Sequence, residues 1–536
     1  LFTHQAIAIR TASLAAALVL LATPASSQQE EAATARHMPS PAQEVAIETT
    51  QAQIDAAIAG LDALAADILY RSNVPGLAIA VVHAGQTVYA KGFGMRSRTS
   101  GEPVDADTVF LLASLSKPIG ATVVAHQVSL GVIDWSTPVQ AHLPWFRLAD
   151  PWVSAHVTIG DLYAHRSGLP DHAGDDLEDI GYGRSAILKR IHLLPQAAFR
   201  DSYAYTNFGL TAAAEAVATA AGSSWEELSA QAIYRPLGMS ATSSRYSDYL
   251  ARTNRAASHV PGPDGYEVAD LRQPDPQSPA GGVSSSANDM ARWMTMVLGG
   301  GTFEGNEIIA PAALMPAVSP QIMSSPPHAL DARASHYGFG FNVGARASGR
   351  VAFSHSGAFA QGTATAFTLI PGLDLGIVVL TNAPPVGAAE AIAASFTDMV
   401  EFGGVKRDWL EGYRSRMAPL TAPAGELAGR KASAGARASR PLETYQGSYE
   451  NAYYGPATIT VDDGSLRLAV GPADIAFAMT PWEEDSFIIE PFNENQPRGS
   501  VSKVTFEMAD GAASAVRIEH LNAYRDGVFT RVPTAQ

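Results

Sequence analysis

Ile54, Ile58, Leu61, Leu64 and Ile68 recur at spacings of four, three, three and four, which predicts one helix with a single buried face. The stretch GLAIAVVHAGQTVYAKGFG that follows holds two β-rich runs broken at Ala84-Gly85, a hairpin signal. Helical patterns and short loops rich in Gly, Pro and Ser fill the middle of the chain. Strands return from Tyr337 to Asn382, where YGFGFNVG, VAFSHSGA, TATAFTLI and LGIVVLTN read as successive antiparallel strands. A sheet fed from both ends of one domain, around a large helical insertion, is an α+β layout over residues 52–419. Residues 420–441 have the Ala, Gly, Ser and Arg composition of a linker. Residues 442–536 read as short strands separated by Gly and Asp turns, an all-β domain.

Composition narrows the partners. Lys and Arg total 36 against 52 for Asp and Glu, a net charge of −16 that repels nucleic acid and acidic membrane surfaces. With no cysteine, disulfides, thiolate catalysis and Cys-zinc sites are excluded. At the N-terminus Arg10 precedes an apolar run over residues 12–22 and the small residues Ala25-Ser26-Ser27. That order predicts a secretory signal at residues 1–27, with an uncleaved anchor as the alternative, and then a flexible leader over residues 28–51. The expectation is a periplasmic or secreted protein without stable membrane insertion once the signal is removed.

Candidate chemistry begins at FLLASLSKPIG, where Ser114 and Lys117 stand three residues apart at a predicted helix start. A serine hydroxyl needs a base, and a lysine serves only when burial or a neighbouring cation lowers its pKa. Pro118 is tolerated near a helix beginning, and a helix start aims N–H groups and the positive dipole end at a developing oxyanion. An S-x-x-K match arises by chance about once in a chain of this size, so the pair needs support. RDSYAYTNFGL supplies Tyr205 and Asn207 on a predicted extended segment, whose period of two puts both on one face. FSHSGAFAQG supplies His355 and Gly357 on a predicted strand.

With three motifs in this order, the chain resembles the serine β-lactamase and penicillin-binding superfamily and, within it, class C β-lactamases, D-aminopeptidases and related esterases. VTIGDLYAHRSGLP, IYRPLGM, PAGGVSSSANDMARW and IPGLDLGIVVLTN extend the resemblance over residues 73–382. It implies a β-lactamase/transpeptidase-like α+β catalytic domain, an antiparallel sheet with helices and a helical subdomain. The C-terminal segment is similar to the lipocalin-like β-barrel that some members append. The resemblance implies Ser114 as acyl-accepting nucleophile, Lys117 as its partner in deprotonation and Tyr205 as a second base. It implies Asn207 as a hydrogen-bond partner of substrate or of Lys117, and the N–H groups of Ser114 and Ala358 as an oxyanion hole. His355 and Gly357 would line the substrate side. No metal or cofactor is expected, and whether Lys117 or Tyr205 is the base stays open.

His355 departs from the β-lactamase pattern, in which a lysine attracts the drug carboxylate; an unperturbed histidine is mostly neutral. The substitution favours peptides, amides or esters over β-lactams. Three function classes follow: a serine peptidase acting on short linear peptides, an esterase or weak β-lactamase, and a non-catalytic penicillin sensor. The domain pattern also resembles bacterial peptidases that cut linearised microcystin. No G-x-S-x-G or H-E-x-x-H is present. His165 and His172 read as structural, Tyr203 as a wall aromatic, and Arg166 and Asp171 as loop residues with or without a substrate contact. Asp289 and Trp293 read as starting and packing a helix.

Overall fold

In the computed structural model, which describes residue 45 and residues 47–533 apart from 264, 270, 434, 435 and 525, the first predicted helix is two. They are α1 (Gln51–Ala59) and α2 (Leu61–Ser72), parted at Gly60, where a Cβ would lie 2.6 Å from the terminal methyl of Met399. Glycine is the weakest helix former of the run and also the residue that admits this neighbour. Ile54, Leu61 and Ile68 are buried as the spacing requires. The signal-like segment and most of the leader lie outside the described residues.

β1 (Gly76–His83) and β2 (Gln86–Gly94) form the predicted hairpin, with positive φ at both Ala84 and Gly85, as a type I′ turn demands. The later strands are β3 (Ile322–Ser325), β4 (Ser335–Tyr337), β5 (Asn342–Ala345), β6 (Val351–Phe359), β7 (Thr363–Ile370) and β8 (Leu375–Thr381). They complete one antiparallel sheet of order β2-β1-β8-β7-β6-β5-β4-β3. YGFGFNVG is thus not one strand. Its chain turns at Gly340, φ 80°, where a Cβ would meet the Lys117 carbonyl oxygen at 2.8 Å, while Phe339 and Phe341 bury their rings.

β1 and β8 are buried on both faces, which explains their unbroken apolar runs. Leu77, Ile79, Ile377 and Val379 pack with α1, α2 and α6 (Ala388–Phe402). Ala78, Ala80, Val378 and Leu380 face α5 (Ala287–Leu298), whose N-cap Ser286 accepts from Asp289 N–H and whose Trp293 is buried. The helical subdomain between β2 and β3 includes α3 (Ser116–Ser129) and α4 (Asn207–Ala220), both largely buried.

The C-terminal domain is a closed eight-stranded antiparallel barrel over residues 447–531. Tyr445, Tyr449, Ile459, Leu468, Phe487, Phe506 and Phe529 fill its interior. It docks on the helical subdomain: Tyr182 donates to the Tyr454 carbonyl at 3.0 Å, and Asn495 Nδ2 to Asp179 at 2.8 Å. No helix among the described residues is long and apolar enough to cross a membrane.

Candidate active site

Ser114 lies in a single 3-10 turn, Ala113–Leu115, that runs straight into α3. Ala113 has φ 48°, a left-handed conformation that costs an ordinary residue about 1–2 kcal/mol. Its neighbours hold the turn. Thr365 Oγ1 donates to the Leu112 carbonyl at 2.7 Å, while Ser116 Oγ donates to the Ala113 carbonyl at 2.7 Å and accepts from Val283 N–H at 3.0 Å.

Lys117 is fully buried on the first turn of α3. Its Nζ lies 3.1 Å from Ser114 Oγ, 2.7 Å from Asn207 Oδ1 and 3.0 Å from the Ala280 carbonyl oxygen. Tyr205 donates its phenol to Ser114 Oγ at 2.6 Å, and its ring centroid stands 4.4 Å from Nζ. Burial pushes the Lys117 amine down to about 7, against the pull of the Asp175 charge. A neutral amine has two N–H groups and one lone pair. With the N–H groups given to Asn207 and Ala280, the lone pair faces the Ser114 hydroxyl. Burial also drives the Tyr205 phenol well above its ordinary value, so it stays protonated and donates.

Asn207 is the first residue of α4, not part of an extended segment; its N-cap Thr206 has β geometry. The phenol reaches Ser114 and the amide reaches Lys117, with the chain turning into a helix between them. A further layer fixes the amide. Asn207 Nδ2 donates to Asp175 Oδ2 at 2.8 Å, and the same oxygen lies 2.8 Å from His172 Nδ1. Burial opposes a charge on His172, but the hydrogen bond and charge of Asp175, with Asp171, outweigh it and raise the imidazole to about 9. Asp171 accepts the Tyr205 N–H at 2.7 Å. Arg166 is turned away, paired with Asp161 at 2.8 Å.

His355 stands in an aromatic wall beside Tyr205, 6.5 Å between ring centroids. Its Nε2 is 2.8 Å from Tyr337 OH and its Nδ1 2.6 Å from the Ser356 carbonyl. Burial and the nearby Lys117 charge press it to about 3, so it is a neutral ring and offers no cation to a carboxylate. His165 and Tyr203 complete the wall, with His165 Nδ1 accepting the Thr206 N–H at 3.1 Å. Among the described residues no cluster of three His, Asp or Glu side chains is placed to hold a metal ion.

On β6, Gly357 lets the strand press against the nucleophile turn. A Cβ there would lie 2.3 Å from the Leu112 carbonyl oxygen and 2.9 Å from Ser114 N. Gly357→Ala is expected to displace that turn and lower kcat/KM about a hundredfold, since about 1 Å of misplacement suffices for that loss. An ester assay beside a melting curve checks it, and an unchanged kcat/KM would mean the close packing is immaterial to catalysis. Ser356 and Ala358, the alternate residues, face the cleft.

The cleft above Ser114 holds about 450 Å³, within the range of small-ligand sites. Its walls come from distant parts of the chain: Asp175 and Glu178, Arg272, Glu390, the helix α7 (Trp409–Thr421) with Ala422 and Ala424, and Glu494, Asn495 and Pro497 of the barrel domain. Arg272 is buried against Glu178 at 2.6 Å, and Glu494 accepts the Ala360 N–H at 2.7 Å. None of these wall residues, nor Asp175, carries a local pattern in the sequence that marks it.

Residues 54–398 match the Beta-lactamase family, and residues 431–530 match a domain of unknown function, DUF3471. The chain belongs to the Beta-lactamase family, within the β-lactamase/transpeptidase-like serine hydrolase superfamily. It is 27% identical over 329 residues to an unguisins hydrolase of Aspergillus campestris, covering 59% of this chain and 59% of that one. It therefore spans about three-fifths of that relative's length. It is 23% identical over 352 residues to the D-alanyl-D-alanine-carboxypeptidase/endopeptidase AmpH of Escherichia coli, covering 65% of this chain and 89% of that one. The octameric penicillin-binding protein homologue from Pyrococcus abyssi shares the fold at TM-score 0.57 and 20% identity, over 88% of this chain and 100% of that one.

Proposed function

We propose that this protein is a serine peptidase that cleaves short linear peptides through an acyl-enzyme on Ser114. The observation that carries the proposal is the Ser114–Lys117–Tyr205 contact set around a lysine held near 7 by burial. Attack forms the bond from Ser114 Oγ to the carbonyl carbon as the hydroxyl proton passes to Lys117. Collapse expels the amine, which takes a proton from the Lys117–Tyr205 pair. Water then adds to the ester carbonyl as one of its protons passes to the pair, and the pair hands that proton to Ser114 Oγ as the ester C–O bond breaks and the acid leaves. The neutral His355 supports peptides over substrates that need a fixed cation in that wall.

The walls from α7 and the barrel domain support short chains, because they line the same cleft as Ser114 and bound the room for a substrate. Linearised microcystin, a peptide with D- and unusual residues, is the particular substrate we put forward. The test is intact-protein mass spectrometry with linear peptides of increasing length, opened microcystin among them. We expect defined cleavage products, an acyl adduct mapped to the peptide carrying Ser114, and declining turnover with length. Turnover of simple esters with no peptide cleaved would move the assignment to an esterase. A single stoichiometric adduct without turnover would make the protein a penicillin sensor.

A further inference from the structure

Glu390 is the third residue of α6, is 6% exposed, and lines the cleft that holds Ser114. Its first-turn position and its own N–H favour a carboxylate there, as does the Ser356 hydroxyl. Those supports are incomplete. Glu390 Oε2 has no hydrogen-bond partner, and no cationic side chain is among the groups acting on the carboxylate. Burial prevails and lifts the acid to about 7.

Asp175 Oδ1 and Glu178 Oε1 also lack a hydrogen-bond partner, but those two acids each have a basic side chain in contact, His172 and Arg272, and Glu494 accepts the N–H groups of Ala360 and Gln361; Glu390 has no basic side chain in contact. Ser356 and Glu390 are also the residues shared between the cleft and a smaller recess of about 160 Å³. Arg346 lines that recess, but it is engaged by Glu401 at 2.6 Å and by Thr397. A buried carboxylate short of partners is costly, and a cation brought by the ligand would complete it. The place is close to the chemistry, because Ser356 adjoins Gly357, which packs on the Ser114 amide.

We propose that Glu390, beside Ser356 at the junction of cleft and recess, anchors a subsite for a cationic nitrogen of the substrate, a guanidinium or a primary ammonium. The inference rests on the peptidase reading for the kind of molecule that carries the cation, and on the cleft geometry for the subsite itself. The probes are alanine-based pentapeptides with arginine or citrulline at each position in turn, each with a free or an acetylated N-terminus. Cleavage is followed with the parent protein, Glu390→Gln and Ser356→Ala. Binding is followed by calorimetry in the Ser114→Ala background with and without Glu390→Gln, which keeps the test open if turnover is slow.

We expect one position at which arginine exceeds citrulline in kcat/KM, or a gain from the free amine over the acetylated end, by about 30-fold or more. That preference should vanish in Glu390→Gln and shrink in Ser356→Ala, with melting temperatures reporting that each variant is folded. The position scan identifies a guanidinium and acetylation identifies an ammonium. Cleavage with no charge preference, or a preference that survives Glu390→Gln, overturns the subsite while leaving the peptidase reading intact. Charge-selective, Glu390-dependent binding without cleavage overturns the peptidase reading and leaves the subsite standing. Neither binding nor cleavage of any probe overturns both.

Discussion

Ser114→Ala is expected to lower kcat/KM on every substrate the protein turns over by about 10⁴-fold or more, the scale seen when a nucleophile is removed from a cooperating set. Ser114 Oγ is the shared centre of the contacts from Lys117 and Tyr205, so its loss leaves both without an acceptor or a proton to move. The fold should tolerate the change, because the turn is held by Thr365, Ser116 and Val283 and not by Ser114 Oγ. Steady-state assays with a peptide and an ester, together with a melting curve, separate the two effects. Retention of more than about 1% of the parent rate by a folded variant would place the nucleophile elsewhere.

Lys117→Met is expected to cost about 10²- to 10⁴-fold, the range for a positioned general base. It should also erase the acid limb of the pH profile. The sign follows from the amine: Lys117 is cationic below about 7 and neutral above it, so the basic form grows as pH rises through that value. In the parent, kcat/KM should therefore rise with unit slope toward a plateau above about pH 7. Glu178, Glu390 and His172 titrate in the neighbouring range, at about 7, 7 and 9, so the limb belongs to Lys117 only if Lys117→Met removes it. A flat parent profile from about pH 5 to 9 would remove Lys117 from the base role. Because serine and lysine act on one proton, the double variant should be no slower than Ser114→Ala.

Much of this arrangement was legible along the chain because it rests on short-range chemistry. A residue three after Ser114 shares its helix turn, so Lys117 could be paired with it from spacing. A β-rich run split at Ala84-Gly85 becomes a hairpin because both φ angles are positive there. The apolar runs at β1 and β8 announced strands, and the structure buries them on both faces. Where local pattern misled, a glycine sits against a distant neighbour: Gly60, between α1 and α2, leaves no room for a side chain beside Met399, and Gly340, within a run that reads as one strand, leaves none beside the Lys117 carbonyl.

What the sequence by itself determined is therefore the family, the α+β catalytic domain with its appended barrel, and the identity of the three motifs. Tertiary structure decided what those motifs mean chemically. Whether Lys117 is a cation or a base depends on complete burial and on Asn207 and Ala280, 90 and 163 residues away. Whether His355 carries charge depends on Tyr337 and on desolvation. The same holds for the cleft, whose walls join α7, the barrel loop, Arg272 and Glu390. Dielectric, burial and hydrogen-bond partners are properties of three-dimensional neighbours, and no local spacing in the chain encodes them.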